Sequence, residues 1–237
     1  MNSKLKNKNS KLPFVFVNMA MTADGKIATA NRAVHSFGSA RDLEHLYELR
    51  ATADAVMCGA RTVEISQSIL GGGGEKFRKQ RLKRGLAEYN LRVIVSGSGS
   101  IDPAAEIFKK RFSPIIVLTT KRASAKKLAR LRQLADEVKI CGKREINFPA
   151  ALRWLRTQWK VKRLLCEGGG ELNDALFRAG LVDEIHLTIC PKIFGGRTAP
   201  TIADGCGFER LKGAEGFQIQ LIRRFRGELF TVLSRPK

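Results

Sequence analysis

Three short segments of the chain set glycine and charged side chains directly behind apolar runs, where backbone and side chain together can hold an anion. The first is Ala55-Val56-Met57-Cys58-Gly59-Ala60-Arg61-Thr62. Gly59 permits a tight strand-to-helix turn. The first free N–H groups of a helix starting near Arg61 or Thr62 then point, with the helix dipole, at whatever binds there. Arg61 adds a positive fork suited to a phosphate dianion. The second segment, Leu164-Leu165-Cys166-Glu167-Gly168-Gly169-Gly170-Glu171-Leu172, repeats the order strand, glycine, helix. Three consecutive glycines let a backbone approach a pyrophosphate with no Cβ in the way. An ordinary βα turn often carries one glycine, so Gly59 alone reads equally as structure, whereas three in a row favour a ligand. Two such turns in one sheet suggest a dinucleotide. Neither is the spaced GxGxxG fingerprint, and neither ends in the Lys-Ser/Thr of a nucleoside triphosphatase loop.

The third segment, Asn18-Met19-Ala20-Met21-Thr22-Ala23-Asp24-Gly25-Lys26-Ile27-Ala28, follows the first apolar run. In open α/β sheets ligands gather outside the carboxyl ends of strands, where this loop falls. Asp24-Gly25 is a turn dipeptide, and Lys26 beside it can hold a phosphate or polarise a substrate oxygen. The same residues read equally well as a plain loop.

Such turns work only if a sheet holds them side by side. Short apolar runs alternate with stretches of helical periodicity along the whole chain. Strands are expected at 14–19, 55–58, 92–96, 115–119, 137–140, 163–166, 184–189, 217–224 and 229–234. The last two flank Phe225-Arg226-Gly227-Glu228, a hairpin signature. Ser39 caps a helix running to about Arg50, with Leu43, Leu46, Tyr47 and Leu49 on one face. Further helices are expected at 123–135, 148–158 and 171–179, the last stopping at Gly180. This alternation predicts an α/β domain with a mostly parallel central sheet and an antiparallel C-terminal hairpin. Residues 1–12 read as a disordered basic tail, without the apolar stretch of a secretory signal, and 13–237 as one domain. The four glycines from Gly71 to Gly74 open a basic segment reaching Asn90. It reads either as a mobile lid over the substrate side or as a solvated helix over 76–88.

Composition narrows the partners. Of 237 residues 43% are hydrophobic, which excludes a disordered chain, and no apolar run approaches the length of a membrane helix. Five scattered cysteines and three histidines show no ligand spacing, so a reduced, cytosolic, metal-free protein is expected. The net charge of +21 raises nucleic acid as a partner. The charge reads as dispersed, however, with its densest stretch at Lys76 to Arg84 and no aromatic interleaving for base stacking. A phosphate-bearing small molecule is the simpler partner.

Taken in order, the motifs resemble the reductase of riboflavin biosynthesis, including the C-terminal half of the bifunctional deaminase–reductase. The matching pieces are Asn18-x-Ala20-x-Thr22-x-Asp24-Gly25-Lys26-Ile27-Ala28, Ser39-x-Arg41, Leu49-Arg50-Ala51, and Asp54-Ala55-Val56 with Gly59 and Thr62. They continue through Glu167-Gly168-Gly169 and Gly180-Leu181-Val182-Asp183-Glu184 to Pro191-Lys192-Ile193-Phe194-Gly195-Gly196, so the likeness spans about 13 to 235. It implies a dihydrofolate-reductase-like three-layer fold, a cytoplasmic homodimer, and NADPH-dependent reduction of a ribosylaminopyrimidine 5′-phosphate to its ribitylamino form. It also implies that Ala20, Gly59, Arg61, Thr62, Ser96 and the turn Gly168, Gly169, Gly170, Glu171 and Leu172 contact the cofactor. Lys26, Arg50, Leu70 and Glu167 match substrate contacts, with Glu167 or Asp24 the candidates for orienting substrate or moving a proton. The chain departs from the family where an acidic residue is expected at Ser66 and a basic one at Gly73; Lys76 or Arg78 can stand in for the latter. The zinc deaminase signatures His-x-Glu and Cys-x-x-Cys are absent, which points to a stand-alone reductase. The rival readings are a reductase of another pyrimidine or a pterin on the same fold and, in a different class, a basic nucleic-acid-binding protein.

Overall fold

The structure, a computed structural model, describes residues 12–32 and 37–236. β1 (Phe14–Thr22) leads through α1 (Ala40–Arg50) to β2 (Ala55–Gly59), α2 (Ala60–Ser66) and α3 (Glu75–Lys83). There follow β3 (Leu91–Val95), α4 (Glu106–Lys109), β4 (Ile115–Thr119), α5 (Ala125–Leu134), β5 (Glu137–Ile140) and α6 (Phe148–Gln158). β6 (Arg163–Cys166), α7 (Gly170–Arg178), β7 (Glu184–Cys190), β8 (Gln218–Phe225) and β9 (Glu228–Ser234) complete the order. No helix among the described residues is long and apolar enough to cross a membrane.

All nine strands join one sheet in the order β5-β4-β3-β2-β6-β1-β7-β9-β8. Every pairing from β5 to β7 is parallel, and only β9 and β8 run antiparallel. The inner strands are apolar on both faces because helices cover both. Phe16, Val56, Ile94 and Leu165 pack under Leu49 of α1, Val63 of α2, Ile107 of α4 and Leu131 of α5. On the other face Val17, Met57, Val93 and Cys166 meet Leu152 and Leu155 of α6 and Leu172 and Leu176 of α7. This is the predicted three-layer α/β architecture with its C-terminal hairpin. The hairpin turns on Arg226 and Gly227, both at positive φ (47° and 91°), the geometry of a two-residue primed turn. Side-chain caps start the main helices as expected: Ser39 accepts from the Asp42 N–H at 3.3 Å, and Asn147 from the Ala150 N–H at 3.0 Å.

Two expectations meet a different outcome. Of the expected tail, residues 1–11 lie outside the described residues, and Leu12 packs half-buried against the core. The basic segment after Gly74 folds as α3 and is not a solvated helix, because Phe77 and Arg81 are buried. The Arg81 guanidinium donates to the carbonyls of Arg50 (2.8 Å), Ala53 (2.6 Å) and Ala87 (2.8 Å), tying α3 to the carboxyl end of α1. The Arg50 carbonyl ends α1, and those of Ala53 and Ala87 lie in the loops that follow α1 and α3. Burial pulls the Arg81 guanidinium down to about 10. A search for apolar periodicity cannot recognise an arginine as the residue that turns inward.

Candidate active site

β3, β2 and β6 are parallel neighbours, so the turns leaving their carboxyl ends stand in a row. Two of these turns are fastened together: the Gly59 N–H donates to the Gly168 carbonyl at 2.9 Å, and the Gly169 N–H to the Thr62 hydroxyl at 3.4 Å. The Gly168–Gly169 peptide is cis. α2 and α7 both begin on a glycine with no side-chain cap, which leaves their first N–H groups for another partner.

The space beside each glycine shows what it is for. Gly168 has a φ of +73°, and a Cβ there would come within 2.7 Å of the Met19 sulfur. A Cβ on Gly170 would lie 2.7 Å from the Thr201 carbonyl. The protein itself requires both. Gly169 is different: its φ is −36°, and the nearest atom to a Cβ would be Thr62 Oγ1 at 3.7 Å. Gly59, at φ −75°, would meet only the Gly168 carbonyl at 3.9 Å. Gly97, behind β3, would meet only Thr120 Cγ2 at 4.0 Å. Three glycines without a packing need therefore line the ends of three adjacent strands. They form an open track free of Cβ atoms.

Beside this track lies a polar cluster on the α1 side of the sheet. The Glu167 N–H extends the β6 ladder onto the Met57 carbonyl at 2.9 Å, and strand alternation places its side chain on the same face as Leu165. There the buried Arg50, in the last turn of α1, donates from Nε and Nη2 to the two carboxylate oxygens at 2.6 and 2.5 Å. Its Nη1 donates to the Gly71 carbonyl at 2.6 Å. Burial opposes the charge on Arg50, but the charge and hydrogen bonds of Glu167 raise the guanidinium above its ordinary value. All three nitrogens of Arg50 are thus engaged within the protein. What the pair presents outward is Glu167, fixed as an acceptor.

One site residue has no role in the motif reading. Val17 pairs with Cys166 and Asn18 with His186, so Asn18 stands one strand from Glu167 on the face of Phe16. Its amide oxygen is buried with no hydrogen-bond partner among the described residues. Such an orphan costs about 1–3 kcal/mol until something satisfies it. The signal lay in the sequence, as the one amide within the otherwise apolar strand run Phe14–Met21.

The other expected residues divide between pocket and scaffold. Lys26 is half-buried in the turn after β1 and donates one proton to the Ala199 carbonyl at 3.2 Å. Asp24 accepts from the Thr22 hydroxyl (2.5 Å) and from the N–H groups of Phe194 (3.2 Å) and Gly195 (2.7 Å). These bonds, the Thr22 hydroxyl foremost, hold its carboxyl below the ordinary value. That is the geometry of a loop anchor, and it leaves no proton for Asp24 to donate. Leu70 and Leu172 belong to the two cores. Ser96 is buried, its hydroxyl on the Ser100 carbonyl at 3.0 Å, and Ala20 is half-buried opposite Thr188. Arg61 and Glu171 are exposed and 3.4 Å apart. The thiols of Cys58 and Cys166 are fully buried, and burial pushes Cys166 up to about 12, so they serve as small hydrophobes.

A mostly parallel sheet with a glycine track beside a clamped carboxylate is the frame of an α/β enzyme. The family described as the RibD C-terminal domain matches residues 13–222, and the chain belongs to it. A 2,5-diamino-6-ribosylamino-4(3H)-pyrimidinone 5′-phosphate reductase of Archaeoglobus fulgidus is 34% identical over 223 residues, 94% of this chain and 98% of the relative. The structure of a pyrimidine reductase-like protein from Corynebacterium diphtheriae matches with a TM-score of 0.79 at 21% identity, over 95% of this chain and 92% of that one. RibD of Acinetobacter baumannii gives 0.74 at 21% identity over 97% of this chain, which spans 60% of that longer protein.

Proposed function

We propose that this chain is a reductase of riboflavin biosynthesis that uses NADPH to convert a ribosylaminopyrimidine 5′-phosphate into its ribitylamino form. The observation that carries this reading is the track of Gly97, Gly59 and Gly169 beside the Arg50–Glu167 clamp. Two strand spacings of about 4.8 Å set the ends of the track roughly 10 Å apart, a span suited to a dinucleotide. The residues fit the cofactor: the uncapped N–H groups of α2 and α7 would hold its pyrophosphate, and the exposed Arg61 its 2′-phosphate. When bound, NADPH supplies a hydride to the electrophilic sugar carbon of the substrate.

The protein's own contribution is placement of the substrate against the cofactor. The lone pairs of Glu167 that Arg50 leaves unused accept from a sugar hydroxyl. The Asn18 oxygen receives the donor it lacks, and Lys26 neutralises the 5′-phosphate. Among substrates, the compound in the name of the Archaeoglobus fulgidus relative is preferred over its deaminated uracil counterpart, because that relative matches over 98% of its length. The enzyme acts in the cytosol as a homodimer. The edge strand β8 exposes Ile219, Leu221, Ile222 and Phe225, a surface fitted to a second copy, and light scattering of Ile222→Lys should find a monomer.

Titration with NADPH and NADH, followed by turnover of both ribosylaminopyrimidines, tests the reading. Gly169→Val should fold normally, since Thr62 Oγ1 at 3.7 Å is the nearest atom to its Cβ apart from its chain neighbours, and should lose NADPH binding. Arg61→Ala should weaken NADPH about tenfold while sparing NADH, the loss of one charge-assisted bond. Unchanged NADPH affinity in Gly169→Val overturns the cofactor site. A protein that binds NADPH yet reduces neither compound overturns the substrate.

A further inference from the structure

We propose that the edge of the sheet built from α5, β5 and α6 binds the phosphate backbone of double-stranded DNA, an activity separate from the reductase site. Residues 121–163 hold fourteen Lys and Arg against three Asp and Glu, a surplus of eleven within a net charge of +21. Eleven of these cations are exposed, Lys126, Arg130, Arg144 and Arg153 among them. None of the fourteen takes part in an ion pair among the described residues.

Along the sequence this charge reads as dispersed, and the fold gathers it. α5 packs on one face of the sheet and α6 on the other, and both flank the terminal strand β5. The Lys121 N–H donates to the Gly142 carbonyl at 3.0 Å, which joins the basic loops at the two strand ends. On α5, Lys126 and Arg130 lie one turn apart, a rise of about 6 Å. Lys126 and Lys127 also occupy the first turn of α5 with no acid beside them, against the helix dipole. That placement costs stability unless an external anion offsets it.

The rest of the face selects the partner. Of the exposed large hydrophobic residues only Ile140 lies here, so a protein interface lacks its apolar anchor. Leu131 and Leu134 face the sheet, so α5 has no stripe to insert into lipid. Trp154 is half-buried with Lys139 over its ring, so no free aromatic platform suits a single strand. B-form DNA carries its phosphates along the rims of a wide, open major groove, where a sheet edge can reach them, whereas the A-form major groove of RNA is deep and narrow. What remains is a DNA duplex, with one charge per about 1.7 Å of its axis. β5 lies four strands from β6, about 19 Å away, so a bound duplex leaves Glu167 and the glycine track accessible.

Fluorescence anisotropy of the full chain with a labelled DNA duplex, across a salt series, tests this. With four or five phosphates engaged, affinity should fall about 250-fold between 50 and 200 mM salt. Lys126→Glu/Arg130→Glu/Arg144→Glu/Arg153→Glu should bind at least about thirtyfold more weakly at 50 mM. Lys83→Glu/Lys110→Glu/Arg210→Glu/Lys212→Glu makes the same change in net charge at exposed, unpaired positions elsewhere, and should lose less than about threefold. NADPH affinity should match the parent in both variants, and neither should unfold at a lower temperature than the parent. Equal losses in the two variants, no binding at 50 mM salt, or tighter binding to duplex RNA, single strands or anionic vesicles would each overturn the proposal.

Discussion

The two most basic regions of the molecule use the same side chains in opposite ways. In α3 and its flanks every strong cation but Lys83 is spent within the protein. Lys76 meets Glu44 at 2.6 Å, Arg78 meets Glu88 at 3.0 Å and Lys79 meets Glu75 at 2.7 Å. Arg81 is sunk onto carbonyls, and Arg84 donates to the Ala51 carbonyl at 3.1 Å. Around α5 and α6 no cation forms an ion pair among the described residues. The difference teaches that density of charge along the sequence says little until its partners are known. Lys76 to Arg84 is the denser run in sequence and the more neutralised one in space.

A graded series of substitutions sharpens this contrast, with stability read by denaturant unfolding. The largest loss is expected at Arg50→Met, about 3–5 kcal/mol, because Glu167 would be left as a buried carboxylate without its partner. Arg81→Met should cost about 2–3 kcal/mol. It is the smaller loss because Asn90 still donates to the Arg50 and Ala53 carbonyls at 2.8 and 2.7 Å. Lys76→Met removes an exposed pair and should cost no more than about 1 kcal/mol. At the other edge Arg130→Ala should change stability by less than about 0.5 kcal/mol. Lys126→Glu should raise it by about 0.3–1 kcal/mol, as an acid replaces a base at the helix start. A loss at Lys126 or Arg130 as large as that at Arg81 would break the comparison, since it would show the α5 cations to be structural.

The same contrast explains what could be read in advance. Strand–glycine–helix turns are local, so the paired turns at Gly59 and at Gly168 to Gly170 were visible before any fold was known. The strands and principal helices followed from apolar spacing, and β1 only runs on to Thr22 where 19 was expected. The Arg50–Glu167 clamp was hidden because its partners lie 117 residues apart. Each read separately as a ligand contact, whereas together they satisfy one another. Asn18 was placed in a motif without a role, and Arg81 was missed, for a related reason. A pattern that sorts residues into apolar-inside and polar-outside has no place for a polar group that is buried by purpose.

The glycine run before α3 limits how the chain can be changed. Gly73 stands at φ +78°, and a Cβ there would lie 2.2 Å from the ring of Tyr47. Tyr47 in turn packs against Phe77 with ring centroids 5.5 Å apart, and the Arg50 guanidinium lies over its ring at 5.6 Å. A side chain at position 73 and the ring at 47 therefore exclude each other. A variant with a basic residue at 73 would also need a smaller residue at 47, and losing the Tyr47–Phe77 contact would loosen the helix that Arg81 anchors. The two positions can change only together.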